Sequence, residues 1–164
     1  MMPALPTRAR AVVVAAAAAL AVAIVGGTLT DLGPWYRNLH KPSWQPPDAA
    51  FGVIWTTIFA LAAAAGVIGW RAASRGMREW MIGLFALNGF LNILWSLLFF
   101  RLHRPDWGLM EVGDLWLSIG LLIVFLARLS WVASTLMAPY LVWVTIAAVL
   151  NYEVVRLNAP FGVH

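Results

Sequence analysis

Residues able to do chemistry are few in this chain, and their spacing groups them. Asn88, Asn92 and Trp95 fall at i, i+4 and i+7, so on a helix they share one face; Phe51, Trp55, Phe59 and Ala62 share another, and Tyr140, Trp143, Ala147 and Asn151 a third. Each set is a stripe of rings and amides within an uncharged apolar stretch. An amide in hydrocarbon needs partners and turns into a helix bundle, so these asparagines either tie helices together or contact a ligand. Rings and amides on converging faces are the chemistry of a ligand pocket, with ordinary core packing as the alternative. Glu111 and Asp114 are acids inside a further apolar stretch. Such acids are costly in a bilayer, and they are read either as functional groups or as members of a shallow ion pair with Arg101 or Arg104. The chain has no cysteine, its three histidines lie outside the apolar stretches, and no nucleophile, base and orienter come together. No catalytic residue, metal site or required cofactor is assigned.

The elements that must carry these stripes are membrane spans. The chain is 62% hydrophobic and 11% charged, with mean hydropathy +0.81, against about 25% charged residues in a soluble domain. Residues 11–30, 49–70, 80–100 and 129–152 are free of charge, and 107–127 holds only Glu111 and Asp114; each is near the roughly 20 residues needed to cross a hydrocarbon core. The expected fold is an all-α membrane protein, a bundle of five transmembrane helices at about 10–30, 49–70, 79–101, 107–128 and 131–155. It forms a single transmembrane domain over 1–164, with one long connector at 31–48. Short connectors elsewhere make neighbouring helices antiparallel. The first stretch also resembles a secretory leader, but its length favours a retained span. Lys and Arg number six on one side (Arg8, Arg10, Arg71, Arg75, Arg78, Arg128) and five on the other (Arg37, Lys41, Arg101, Arg104, Arg156), which leaves orientation open. The net charge of +4 is spread over loops, as expected beside lipid head groups, and gives no support to nucleic-acid binding.

Counting about 1.5 Å per residue from the face that carries the long connector, Trp55, Trp95, Asn92 and Trp143 lie about 8 to 14 Å deep, and Glu111 and Asp114 about 6 and 11 Å. All fall in the same half of the bilayer. The connector above them reads "KPSWQPP" at 41–47, whose prolines hold it extended, so a stiff aromatic segment is expected to act as a lid over a cavity. Trp35, Trp44, Trp70, Trp80, Trp107 and Trp131, in loops or at span ends, suit interface anchoring. Trp116 is expected to face lipid or a partner. The small pairs Ala62/Gly66 and Ala65/Gly69 are candidate helix-packing faces, which leaves open a structural role beside other membrane proteins.

The segments "WYRNLHKPSWQPP" (35–47), "FGVIWTTIF" (51–59), "NILWSLLFF" (92–100) and "PYLVWVTIAAVLNYEVVRLN" (139–158) together resemble the TspO/MBR family, the tryptophan-rich sensory proteins and the translocator protein, also called the peripheral-type benzodiazepine receptor. The resemblance covers about residues 31–158. It implies a five-helix bundle, commonly a homodimer among membrane lipids, with a pocket under the first loop for a porphyrin such as protoporphyrin IX. Carried over by motif, the pocket residues are Tyr36, Trp44, Trp55, Phe59, Asn88, Asn92, Trp95, Trp143 and Ala147. If a tetrapyrrole is the ligand, the basic residues Arg37, His40 and Lys41 near the rim are expected to meet its propionates. Leu150, Tyr152 and Arg156 fit a loose sterol-contact pattern. Many relatives carry Tyr where this chain has Phe59, and Glu111 adds an acid one turn before Asp114. The implied roles are sensing, sequestration or transport of a tetrapyrrole; the alternatives are light-dependent porphyrin degradation and sterol or lipid binding. The expected location is a bacterial envelope membrane.

Overall fold

The computed structural model describes residues 7–162; the N-terminal residues 1–6 of the leader-like stretch lie outside them. Every regular element described is helical: α1 (Thr7–Leu29), α2 (Pro34–Asn38), α3 (Asp48–Ala72), α4 (Arg75–Ser96, extended by a π-helical turn Leu97–Arg101), α5 (Pro105–Ala127), α6 (Trp131–Leu136) and α7 (Ala138–Asn158). Five spans are long and apolar enough to cross a membrane: Ala9–Leu29, Asp48–Ala72, Arg75–Arg101, Pro105–Ala127 and Trp131–Asn158. The protein is thus a multi-pass integral membrane bundle.

Several boundaries differ from expectation, α4 beginning four residues early at Arg75 and the last span running on to Asn158, and three of the differences have a local reason. The lid is not a plain connector: Pro34, whose fixed φ suits a first helical turn, opens α2 inside it. Pro105 does the same for α5, which begins two residues early. The last span is not one helix but two, parted at Met137, because Pro139 lacks the N–H that would continue the ladder.

The core is organised around α5, which packs against α4, α6 and α7. Leu115, Ile119, Leu122 and Leu126 recur at i, i+4, i+7 and i+11, forming a seam that is 0–2% exposed. By contrast α1 lies against α3 and α4 and buries only Gly26 among its described residues. Its alanines and valines present apolar surface all round, and lipid is an adequate partner for it. The small-residue faces pack inside the chain. Ala65 is fully buried, a Cβ on Gly69 would sit 2.7 Å from Leu126 Cδ2, and one on Gly66 would meet the Phe85 ring at 3.7 Å.

Candidate functional site

At the lid end the helices stand apart around a cavity of about 510 Å³, within the 300–1,000 Å³ usual for small-molecule sites. The C-terminal half of α1 supplies Gly26 and Gly27, and Thr30 follows just past its end; the first turns of α3 supply Asp48, Phe51, Trp55 and Phe59. The end of α4 adds Asn92, Trp95, Phe99 and Phe100, α7 adds Trp143, Ala147 and Asn151, and Tyr36 and Gln45 reach in from the lid. Ring meets ring along this wall: Trp55 stacks on Phe59 with centroids 5.4 Å apart, Phe51 meets Trp143 edge-on at 5.5 Å, and Trp95 lies 5.2 Å from Phe99. Such pairs are worth about 0.5–1.5 kcal/mol each beyond their buried area, so the wall holds its shape.

Behind the rings, hydrogen bonds fix the stripes. Asn92 donates to the Tyr140 hydroxyl at 3.1 Å, and Trp95 Nε1 donates to Asn151 Oδ1 at 3.1 Å. Asn151 in turn donates to the Pro105 carbonyl at 2.8 Å. One buried donor is left over: Trp143 Nε1 has no partner among the described residues.

Of the nine expected pocket residues, Tyr36, Trp55, Phe59, Asn92, Trp95, Trp143 and Ala147 line the cavity. Two do not. Asn88 donates to Ser118 Oγ at 2.9 Å and ties α4 to α5, the bland alternative for an intramembrane amide. Trp44 sits in a turn closed by Gln45 N–H to the Pro42 carbonyl at 3.0 Å, and is 48% exposed. That position suits an interfacial ring. The sterol-pattern residues divide between two surfaces, because Leu150 and Tyr152 lie two positions apart on a helix. Leu150 lines the cavity, whereas Tyr152 is exposed and Arg156 pairs with Glu153 on the outside.

The acids also separate. Asp114 is exposed on the outer face. Glu111 is 7% exposed and neither carboxyl oxygen has a partner among the described residues. The ion pair with Arg101 or Arg104 is not formed: Arg104 bonds Asp106 through both its Nε (2.8 Å) and a terminal nitrogen, and lies over the Trp107 ring. Trp116 is on the outer surface, with its indole N–H satisfied by Thr145 Oγ1 at 2.9 Å.

Sequence reasoning missed the lid lock and the π turn. Tyr36 donates to Asp48 Oδ1 at 3.1 Å, and Gln45 Nε2 donates to the Tyr36 oxygen at 3.1 Å. Burial and the neighbouring Asp48 carboxylate push the Tyr36 phenol up to about 12, so it remains a donor. Asn158 pins the middle of the lid, exchanging two 2.8 Å bonds with the His40 backbone. In the π turn, Leu102 N–H bonds the Leu97 carbonyl at 2.9 Å, and the wider winding lets the adjacent Phe99 and Phe100 both line the cavity. The signal available was the ring spacing Trp95, Phe99, Phe100, which no regular α-helical stripe requires.

Comparison with known proteins agrees with this architecture. Residues 12–157 match the TspO/MBR family. Tryptophan-rich protein TspO of Chlorobaculum tepidum is 40% identical over 148 residues, covering 85% of this chain and 90% of the relative. Protein CrtK of Rhodobacter capsulatus is 35% identical over 141 residues (85% and 88%), and the translocator protein of Sus scrofa 35% over 131 residues (76% and 75%).

Proposed function

The chain belongs to the TspO/MBR family, and from that premise we propose that it binds a flat, largely apolar tetrapyrrole such as protoporphyrin IX in the cavity beneath its lid. The observation that carries this reading is the composition of the wall. Trp55, Phe59, Trp95, Phe99 and Trp143 give broad ring faces, and Asn92 and Asn151 are amides set among them. A planar ligand gains dispersion contact over its whole face in such a slot, and the few polar groups fix its orientation. Handling rather than conversion is favoured, since among the described residues no nucleophile, base and orienter come together in the wall. The biological output is sensing, sequestration or transport.

The test is a titration of the purified protein in detergent with protoporphyrin IX, followed by tryptophan quenching. Saturable quenching is expected, weakened about tenfold or more in Asn92→Ala, because the amide and the Tyr140 hydroxyl it holds are both disturbed. Trp143→Phe is expected to keep the slot and reduce its ring face, weakening binding by less. Absence of saturable quenching in a folded sample sinks the reading. Light-dependent loss of bound porphyrin absorbance that disappears in Trp143→Phe, while binding persists, would move the function to degradation.

A further inference from the structure

Asp48 is the one charged side chain among the described residues that line the cavity. The basic residues of the lid, Arg37, His40 and Lys41, do not line it; the Lys41 ammonium lies over the Tyr36 ring, 3.9 Å from its centroid. The polar end of the wall is therefore acidic. Its donors are also directed at one atom: Tyr36 Oη and Gln45 Nε2 lie 3.1 and 3.5 Å from Asp48 Oδ1, and Oδ2 accepts nothing from the described residues. An ionised carboxylate accepts at both oxygens. This one, itself exposed, keeps acceptor capacity at the cavity's lid end.

We propose that Asp48 sets the class of ligand the cavity prefers: a flat aromatic molecule that presents a hydrogen-bond donor or a positive charge beneath the lid, and not a carboxylate. This rests on the cavity being the ligand site. A ligand carboxylate brought beside Asp48 meets a like charge, with the Tyr36 hydroxyl and the Gln45 amide already donating, whereas an N–H, hydroxyl or ammonium meets a free acceptor. A dicarboxylic porphyrin is then bound with its acid groups turned away from Asp48, into the water beyond the rim, and removing those charges improves the fit.

The experiment uses the full chain in nanodiscs of zwitterionic lipid at neutral pH and low salt. Protoporphyrin IX and its dimethyl ester are each titrated by tryptophan quenching against wild type, Asp48→Asn and Asp48→Glu. Because the ester partitions more strongly into lipid, the readout is the change in the acid-to-ester affinity ratio between variants, not the ratio itself. Asp48→Asn is expected to shift that ratio about tenfold toward the free acid, with the shift shrinking at high salt. Asp48→Glu, which keeps the charge, is expected to retain the wild-type ratio. A purely structural role for Asp48 in the lid would lower the thermal midpoint and leave the ratio unmoved. Binding of both porphyrins with the same ratio in wild type and Asp48→Asn overturns the assignment alone. Saturable binding of neither by folded wild type overturns the proposed function, and this assignment with it.

Discussion

The two ends of the bundle are built from the same spans and differ in what faces what. At the lid end, large rings on α3, α4 and α7 oppose one another and the helices stand off around a cavity of about 510 Å³. At the far end the later turns of α3, the start of α4, the end of α5 and α6 close completely: Ala65, Leu122, Leu126, Ala133 and Met137 have no exposed surface. Hydropathy does not distinguish the ends, since both are apolar. Side-chain size does. In lipid, helices associate by close packing rather than by escape from water, so Gly and Ala opposite Leu and Met draw backbones together. Opposed tryptophans and phenylalanines instead prop them apart, and ring-to-ring contacts hold the gap open.

Two glycines on α3 test this contrast most severely. A Cβ at Gly69 would lie 2.7 Å from Leu126 Cδ2 and 3.2 Å from Met81 Sδ, both side chains themselves buried; at Gly52, a cavity-lining position, a Cβ meets nothing within 4 Å. Gly69→Leu is expected to cost about 1–3 kcal/mol or more by overpacking, seen as a lower thermal midpoint in detergent, with porphyrin affinity of the folded fraction little changed. Gly52→Leu is expected to leave the midpoint within about 0.5 kcal/mol of wild type and to weaken porphyrin binding by at least tenfold, by filling the slot. If both variants lose stability equally, the cavity is not the open half that the comparison makes it.

How much of the fold and the site is legible in the sequence follows the same division. The spans are readable because a charge-free run of about 20 residues matches the thickness of a hydrocarbon core and is rare in a soluble domain. The stripes of Asn92 and Trp95, Trp55 and Phe59, Trp143 and Ala147 are readable because helical spacing fixes a common face. What spacing cannot give is which of two residues on one face reaches the gap. Asn88 and Asn92 are one turn apart, yet only Asn92 lines the cavity, because Ser118 on α5 stands opposite Asn88 and takes its donor. The prolines of the lid announce stiffness but not α2, and Trp44 reads as pocket or anchor until the turn at 42–45 turns it out. Residues whose role depends on a distant partner, Asp48 with Tyr36 or Asn158 with His40, leave no local mark at all.

Glu111 belongs to neither end cleanly. It is buried in the lid half, on a helix that lines no part of the cavity, with both oxygens unpartnered among the described residues. A carboxyl held that way opposes folding, and an apolar side chain of similar size is expected to be neutral or stabilising. Glu111→Leu should raise the thermal midpoint, by as much as about 1–2 kcal/mol in stability, and Glu111→Gln should fall between the two. A clear loss of stability in Glu111→Leu would mean that the acid holds a partner the leucine evicts. The region behind the aromatic wall would then be polar, unlike the sealed far end.

The smallest effect concerns the lid, whose lock is three polar groups at the edge of the open half. Tyr36→Phe removes the phenol that donates to Asp48 and accepts from Gln45. Because Asp48 is exposed and can turn to water, the expected cost is about 1 kcal/mol, confined to the lid. Trypsin cleavage after Arg37, inside α2, is expected to speed up about fivefold at that cost, while the midpoint of the bundle stays in place. The pH dependence has a definite sign. The phenol's folded value, about 12, lies above its unfolded value of about 10, so the folded lid holds that proton more tightly. Its contribution is complete below about pH 10 and is lost as pH rises through about 12. A phenolate difference titration should therefore show one group ionising near pH 12 in wild type and missing in Tyr36→Phe. If Tyr36→Phe instead lowered the midpoint of the whole bundle, the lid would be part of the packed structure rather than a closure over the open half, and the division between the two ends would have to be redrawn at α2.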